Sequence, residues 1–114
     1  MLIAALALSL LSQDPQVVDG IIVRGDWAQT PNAEQLTPPT GTEWSPGSAQ
    51  LLCTVLEDGT LARCVVESIT PEGPRVRAYA LELASHFRQR ARLWDGRPVT
   101  GLKVRFTVRW SPED

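Results

Sequence analysis

The sequence is short of the side chains that most enzymes and metal sites use. Its 114 residues include one histidine, His86, and two cysteines, Cys53 and Cys64. It contains no C-x-x-C motif, and its glycines stand singly rather than in a phosphate-binding loop. Three zinc ligands without a recognisable fourth do not make a site. We therefore expect no enzyme, no metal and no cofactor, and we interpret His86 as a helix-end side chain.

Long apolar runs are also scarce. The run from Leu2 to Leu11 is uncharged and has the length of the central region of a signal peptide, too short to span a bilayer comfortably. Because no Lys or Arg precedes it, a short uncleaved anchor and a misplaced start codon remain alternatives. We expect residues 1–13 to be a secretory signal peptide, which predicts a periplasmic protein with no membrane span after its removal.

Basic residues are almost missing from the first half of the chain. Up to Ala62 there are seven acidic residues and one basic residue, whereas Arg63 to Trp110 contains ten basic and four acidic residues. A polyanion-binding second half is one interpretation. With a net charge of -2 and a pI of about 5.3, two oppositely charged, solvated faces are the favoured interpretation, and we expect no nucleic-acid binding.

Both cysteines flank one turn signal in the stretch LLCTVLEDGTLARCVV, residues 51–66. Asp58-Gly59 between short apolar runs predicts a hairpin with a two-residue type I′ turn. The residue pairs expected from that turn are Glu57–Thr60, Val55–Ala62 and Cys53–Cys64. Opposed Cα atoms lie about 4.5–5.5 Å apart, a separation that a disulfide accepts. We expect a disulfide, with a reduced and buried pair of thiols as the alternative.

A helix is predicted after the hairpin. Gly73 is a permissive cap, and Pro74 fits the first helical position. An apolar stripe at helical spacing follows, formed by Val76, Ala80, Leu83, Ala84 and Phe87. We expect the helix to stop before Trp94, with three cations near its C-terminal end, where the macrodipole favours them: Arg88, Arg90 and Arg92.

The clearest strand pattern covers residues 102–110. Its apolar positions are Leu102, Val104, Phe106, Val108 and Trp110, and they alternate with Lys103, Arg105, Thr107 and Arg109. This alternation predicts one core face and one exposed, basic face. Since the aromatic residues fall on the core face, stacking of nucleic-acid bases is not expected on the basic face.

These elements predict an α+β fold, namely a small antiparallel three-stranded sheet (β-β-α-β, sheet order 2-1-3) with one helix packed on one face. The last strand is then an open edge. The second hairpin face is apolar too, through Leu52, Leu56, Leu61 and Val65. We expect the segment from Ile21 to Trp27 to cover that face, and a homodimer mate or another partner is the alternative.

The domain organisation follows from composition. Residues 14–47 form a Pro/Gly-rich N-terminal segment, with an extended piece at Ile21–Val23 and one helical turn from Asn32 to Leu36. Residues 48–110 form the folded domain, and residues 111–114 are a tail.

In order and spacing, residues from about Trp27 to Trp110 resemble the C-terminal domain of the TonB family, in its variant with paired hairpin cysteines. The upstream stretch WAQTPNAEQL is similar to one that often precedes this domain. The motifs that carry the resemblance are Asp58-Gly59, Cys53-x-Val55, Cys64-x-Val66, Glu67-Ser68, Ala80-Leu81 with Phe87, Gly96-x-Pro98-Val99, and the alternating Val104, Phe106 and Val108.

The resemblance implies a periplasmic, non-enzymatic module linked to TonB-dependent outer-membrane transport. In that family, an extended peptide of an outer-membrane transporter adds to the last strand. The implied binding residues here are Leu102, Lys103, Val104, Arg105, Phe106, Thr107, Val108, Arg109 and Trp110. A secreted structural or adaptor domain of the cell envelope, without energy transduction, is the alternative. The sequence departs from the family at Arg88, where a proline is common.

Overall fold

The computed structural model describes residues 14–32, 34–36 and 46–111. Within these residues the chain forms seven strands and one helix. In chain order they are β1 (Val17–Val18), β2 (Ile21–Ile22), β3 (Trp27–Gln29), β4 (Gly47–Val55), β5 (Leu61–Thr70), α1 (Pro74–Ala84), β6 (Arg88–Gln89) and β7 (Lys103–Trp110).

The main sheet has five strands in the order β1-β2-β7-β4-β5, and β3 pairs with β6 in a second sheet. The predicted small three-stranded sheet is therefore wrong. The three strands foreseen from the sequence are neighbours, with β4 between β5 and β7 and antiparallel to both. The sheet is larger and mixed because β2 adds to β7 in parallel, at Ile21 opposite Lys103 and Ile22 opposite Val104.

The hairpin between β4 and β5 has a three-residue loop rather than the predicted type I′ turn. The Leu56 amide donates to the Thr60 carbonyl at 2.8 Å, and the Gly59 amide donates to the Leu56 carbonyl at 2.9 Å. In this loop Gly59 has a positive φ of 91°, whereas Asp58 does not. Asp58 Oδ1 instead accepts hydrogen bonds from the Thr60 hydroxyl and amide, which lower the pKa of its carboxyl.

A β-bulge restores the predicted pairing of the cysteines. The longer loop places Val55 opposite Leu61, so the expected Val55–Ala62 pair is not formed. The register shifts where Arg63 and Cys64 lie opposite Cys53. Arg63 adopts a positive φ of 53° there. Beyond the shift, Cys53 and Cys64 are disulfide-bonded, as predicted, with Cα atoms 4.0 Å apart.

The helix α1 begins where the sequence predicts and ends earlier. Gly73 is its N-cap and Pro74 its first residue. It buries Ala80, Leu83 and Ala84 of the predicted stripe, together with Tyr79, against the core face of the sheet. This core face is formed mainly by Leu51, Cys53, Val55, Val104, Phe106, Val108 and Trp110.

The three arginines expected at the helix C-terminus lie beyond it, because α1 stops at Ala84. Arg88 belongs to β6, which pairs with β3, and Arg92 forms a β-bridge with Pro98. The Arg90 amide donates to the Asp26 carbonyl at 2.9 Å, and its side chain forms an ion pair with the Asp26 carboxylate. Backbone pairing with the N-terminal segment thus replaces the last predicted helical turn.

The N-terminal segment completes the core but does not cover the second hairpin face. Ile22 is fully buried, and the Trp27 ring packs edge-on against Phe87 and Phe106 at centroid distances of 4.8 and 5.0 Å. These contacts lie on the core face, since Phe106 belongs to it. On the opposite face Val65 is 58% exposed, so the expectation that residues 21–27 cover this face is wrong.

One smaller prediction for the N-terminal segment, the turn from Asn32 to Leu36, agrees with the structure. Asn32 Oδ1 accepts a hydrogen bond from the Gln35 amide at 2.9 Å, and the Leu36 amide donates to the Asn32 carbonyl at 3.1 Å. Asn32 therefore caps the short turn.

Among the described residues no helix is both long and apolar enough to cross a membrane. The predicted signal peptide and residues 112–114 of the tail lie outside the described residues.

Candidate peptide-binding edge and solvent face

The predicted binding residues lie together along β7 and at the turn before it. Leu102 ends that turn, and its carbonyl accepts a hydrogen bond from the Val55 amide at 2.8 Å. The side chains of β7 alternate as predicted: the buried ones are Val104, Phe106, Val108 and Trp110, and the solvent-facing ones are Lys103, Arg105, Thr107 and Arg109.

The outer edge of β7, meaning the side away from β4, is only partly covered. In an antiparallel ladder, alternate residues point their N–H and C=O groups away from the partner strand. Because the Leu102 carbonyl accepts a hydrogen bond from Val55 of β4, the backbone groups of Leu102 and of every second residue after it point toward β4. The residues between them point outward, and the Lys103 amide indeed donates outward to the Gly20 carbonyl at 3.5 Å. Thr107 and Arg109 have the same orientation. Within the described residues no strand pairs with β7 beyond Val104 on this side.

The other sheet edge, on β5, is less regular. Its pairing with β4 shifts register twice, around Arg63 and around Glu67. Bulges of this kind twist an edge and interrupt the row of backbone groups that another strand would need. By contrast, β7 pairs with β4 over eight consecutive residues without a shift. The outer edge of β7 beyond Val104 is therefore the better template for an added strand.

The face of the sheet opposite α1 is exposed and basic, and we call it the solvent face. It carries the predicted basic residues of β7, Lys103, Arg105 and Arg109, and also Arg63 of β5. Arg63 was not among the predicted binding residues, although the predicted Cys53–Cys64 pairing already places it on the hairpin face that carries Val65. The available signal was strand alternation, since a residue next to a paired strand cysteine points to the opposite face of the hairpin.

One ion pair on the solvent face joins β7 to β5. Arg105 Nε donates to Glu67 Oε1 at 2.7 Å, and Arg105 Nη2 donates to Glu67 Oε2 at 3.0 Å. Such a two-pronged contact suits the planar guanidinium. It lowers the pKa of the Glu67 carboxyl and raises the pKa of Arg105. Gln50 Nε2 also donates to Glu67 Oε1, at 3.4 Å.

Two titratable side chains near the helix, His86 and Tyr79, contact Gln35. His86 is half-buried, with Nδ1 at 3.2 Å from Gln35 Nε2. The Tyr79 hydroxyl donates to the Gln35 carbonyl at 2.8 Å, and burial, more than the nearby Glu82 carboxylate, raises the pKa of Tyr79 to about 12. In the described part of the chain, no three His, Cys, Asp or Glu residues are arranged to hold a metal ion.

Comparisons of the chain with family models, with curated proteins and with solved structures found no match in any of the three. The resemblance to the TonB family therefore stays a prediction. It rests on the motifs quoted from the sequence.

Proposed function

We propose that this protein is a peptide-binding module of the bacterial periplasm, similar to the C-terminal domain of the TonB family, that adds an extended segment of a partner to its sheet. The partner class implied by the resemblance is an outer-membrane transporter. The observation that carries the proposal is the outward orientation of the backbone groups of Thr107 and Arg109 on a regular strand. Unpaired N–H and C=O groups on such an edge are a template for strand addition.

The side chains of β7 add selectivity to this edge. A peptide strand beside β7 would place alternate side chains on the solvent face, across from Arg105, Thr107 and Arg109. Opposite charges on neighbouring strands contribute about 0.2–1 kcal/mol per pair. Main-chain hydrogen bonds therefore supply the affinity, and acidic side chains in the peptide are favoured over basic ones.

The disulfide supports placement in an oxidising compartment, since such bonds persist in secreted and periplasmic proteins and are rare in the cytosol. Mass spectrometry of the protein recovered from the periplasmic fraction tests this part of the proposal. We expect the mass of the cross-linked chain lacking an N-terminal segment. Two free thiols in that material would contradict the periplasmic assignment.

Strand addition is tested by NMR titration of the isotope-labelled protein with synthetic peptides from the periplasmic N-termini of outer-membrane transporters. We expect amide shifts confined to residues 105–110. The variant Thr107→Pro removes an outward N–H while leaving the β4 ladder intact, because proline is tolerated where the N–H faces away from the sheet. It should abolish the shifts, and Thr107→Ala should keep them. Absence of shifts in the wild-type protein at millimolar peptide would overturn the proposal.

A further inference from the structure

The solvent face has more cations than its single acidic partner can neutralise. Arg105 is paired with Glu67, whereas Arg63, Lys103 and Arg109 form no ion pair within the described residues. All three of these side chains belong to exposed residues. Because the chain as a whole has a net charge of -2, this positive surface is a local feature and not a consequence of composition.

Two of the unpaired cations border an apolar depression. It is lined by Leu52, Cys53 and Thr54 of β4, by Arg63 and Val65 of β5, and by Lys103 of β7. Val65 is 58% exposed, and Leu52, which lies opposite it on β4, is half-buried. Since β5 and β7 flank β4, the backbones at Arg63 and Lys103 are two strand spacings apart, or about 10 Å.

The backbone at Arg63 is the second observation that points to this surface. Its φ of 53° lies in the left-handed region, which residues with a Cβ atom seldom adopt because that atom crowds the following carbonyl oxygen. Bulges commonly re-aim a side chain, and Arg63 at this bulge lines the depression. The neighbouring Cys53–Cys64 disulfide ties β5 to β4 at the same point. The backbone position from which Arg63 extends is thus fixed by the bulge and the disulfide.

The chemistry of the surface specifies its ligand. The paired Arg105 shows how a carboxylate is held on this same face, through two parallel N–H···O bonds. Bases and sugar rings are recognised by stacking on aromatic side chains, and the described aromatic residues of β7 point to the core face. A ligand that carries carboxylates on both sides of an aliphatic side chain therefore matches this surface. The carboxylates would meet Arg63 and Lys103, and the aliphatic side chain would lie in the apolar depression between them.

From this arrangement we infer that the solvent face binds an acidic polypeptide segment of a partner protein, with one apolar side chain against Leu52 and Val65 and flanking carboxylates on Arg63 and Lys103. A Glu-x-Leu-x-Glu pattern in extended conformation places these three side chains on one side of the peptide. The peptide crosses the strands on the face of the sheet. This site is separate from the outer edge of β7 and does not depend on strand addition.

The test measures fluorescence anisotropy of a labelled peptide with the core Glu-Ser-Leu-Ser-Glu, titrated with the full, oxidised protein at low salt. We expect binding that weakens as ionic strength rises, because exposed charge pairs are screened. Peptides in which both Glu are replaced by Gln, or Leu by Ser, should bind more weakly. Equal binding of the Gln peptide would overturn the inference, as would no binding at about 1 mM protein.

Substitutions of Arg63 and Lys103 test whether the peptide binds at the apolar depression. The double variant Arg63→Asn with Lys103→Gln should weaken binding about tenfold, the sum expected from two exposed ion pairs. Asparagine is chosen at position 63 because it tolerates positive φ, so the fold is preserved. The matched control is Arg75→Gln, which removes an exposed cation from α1. A loss of binding equal to that of the control would refute the assignment.

Two further readouts distinguish this site from the β7 edge and from a lipid-binding surface. Amide shifts at Leu52, Arg63 and Val65 that survive in the Thr107→Pro variant are expected here, whereas strand addition predicts shifts at residues 105–110 that are lost in it. Vesicles of phosphatidylglycerol serve as the second probe. Binding to vesicles without binding to the peptide would assign the face to an anionic lipid surface and reject the polypeptide partner.

Discussion

The backbone N–H of Gln89 donates a hydrogen bond to the Gly59 carbonyl at 2.8 Å, and this bond connects the tip of the β4–β5 hairpin to strand β6. Beside it, Thr60 and Arg88 form a β-bridge. The hairpin loop is therefore a packed part of the fold and not a free surface turn. This contact makes the glycine at the turn the most sensitive position in the loop.

Replacing that glycine is expected to cost about 2–4 kcal/mol of unfolding free energy in the variant Gly59→Ala. The residue has φ of 91°, and an added Cβ would collide with the Gln89 carbonyl oxygen. Gly96→Ala is the matched control, since Gly96 has the same φ and open space around it. Urea unfolding of both oxidised variants checks the prediction, and equal losses would show that the Gln89 contact does not matter.

Removal of the disulfide is expected to lower stability by about 3 kcal/mol, the chain-entropy value for a loop of about twelve residues. The double variant Cys53→Ala with Cys64→Ala and the reduced wild-type protein should lose similar amounts of unfolding free energy. The reason is that the cross-link contributes more to stability than the packing of the sulfur atoms does. Thermal unfolding with and without reductant measures both. Unchanged unfolding of the wild-type protein in reductant would contradict this prediction.

The ion pair of Glu67 with Arg105 predicts a pH dependence. Hydrogen bonds from Arg105 lower the pKa of Glu67 in the folded state, so the pair stabilises the fold above the unfolded pKa of a glutamate, about 4.3. That contribution disappears as pH falls through the lowered folded value. For a surface pair we expect about 0.2–1 kcal/mol at neutral pH.

The variant Glu67→Gln should therefore be less stable than wild type at pH 7 and no less stable near pH 2. Glu57→Gln is the control, because Glu57 makes no ion pair within the described residues. Denaturant unfolding across the acid range gives both curves. A constant difference between Glu67→Gln and wild type at all pH values would rule out the ion pair as its cause.

Trp27 is expected to make a large contribution to stability although it lies in the N-terminal segment. Its ring packs against Phe87 and Phe106, whose own centroids are 4.8 Å apart. Trp27→Ala should destabilise the protein by about 3 kcal/mol. The control is Trp94→Ala, since Trp94 is 60% exposed and its loss should cost little. Chemical unfolding followed by far-UV circular dichroism compares them, and similar costs would place Trp27 outside the core.

Local signals in the sequence are enough for the elements that depend on neighbouring residues. The cap at Gly73-Pro74 marks the start of α1, and strict alternation marks β7. The cysteine pairing is also predicted correctly, although the predicted turn is not. The two-residue turn expected at Asp58-Gly59 is a three-residue loop, and the bulge at Arg63 compensates for the extra loop residue.

Features that depend on distant residues are not predictable in this way. The strands β1, β2, β3 and β6 have two or three residues each, too few for a periodic pattern. Their pairing is decided by the tertiary contacts of Ile22 and Trp27, which the sequence does not specify in advance. The last strand was predicted to be an open edge, but β2 pairs with β7 at Lys103 and Val104, and within the described residues only the later part of β7 has no strand on that side.

The parallel pairing of β2 with β7 joins residues that are about eighty positions apart in the chain. A ribosome releases Ile21 and Ile22 long before Lys103 and Val104 exist, so this pair of strands is a late event in biogenesis. Contacts of such high sequence separation slow folding, because a long loop must close before they form. Until β7 has been synthesised, β2 has no strand of this sheet to pair with except β1, and any chaperone that meets the chain in that interval finds an open strand.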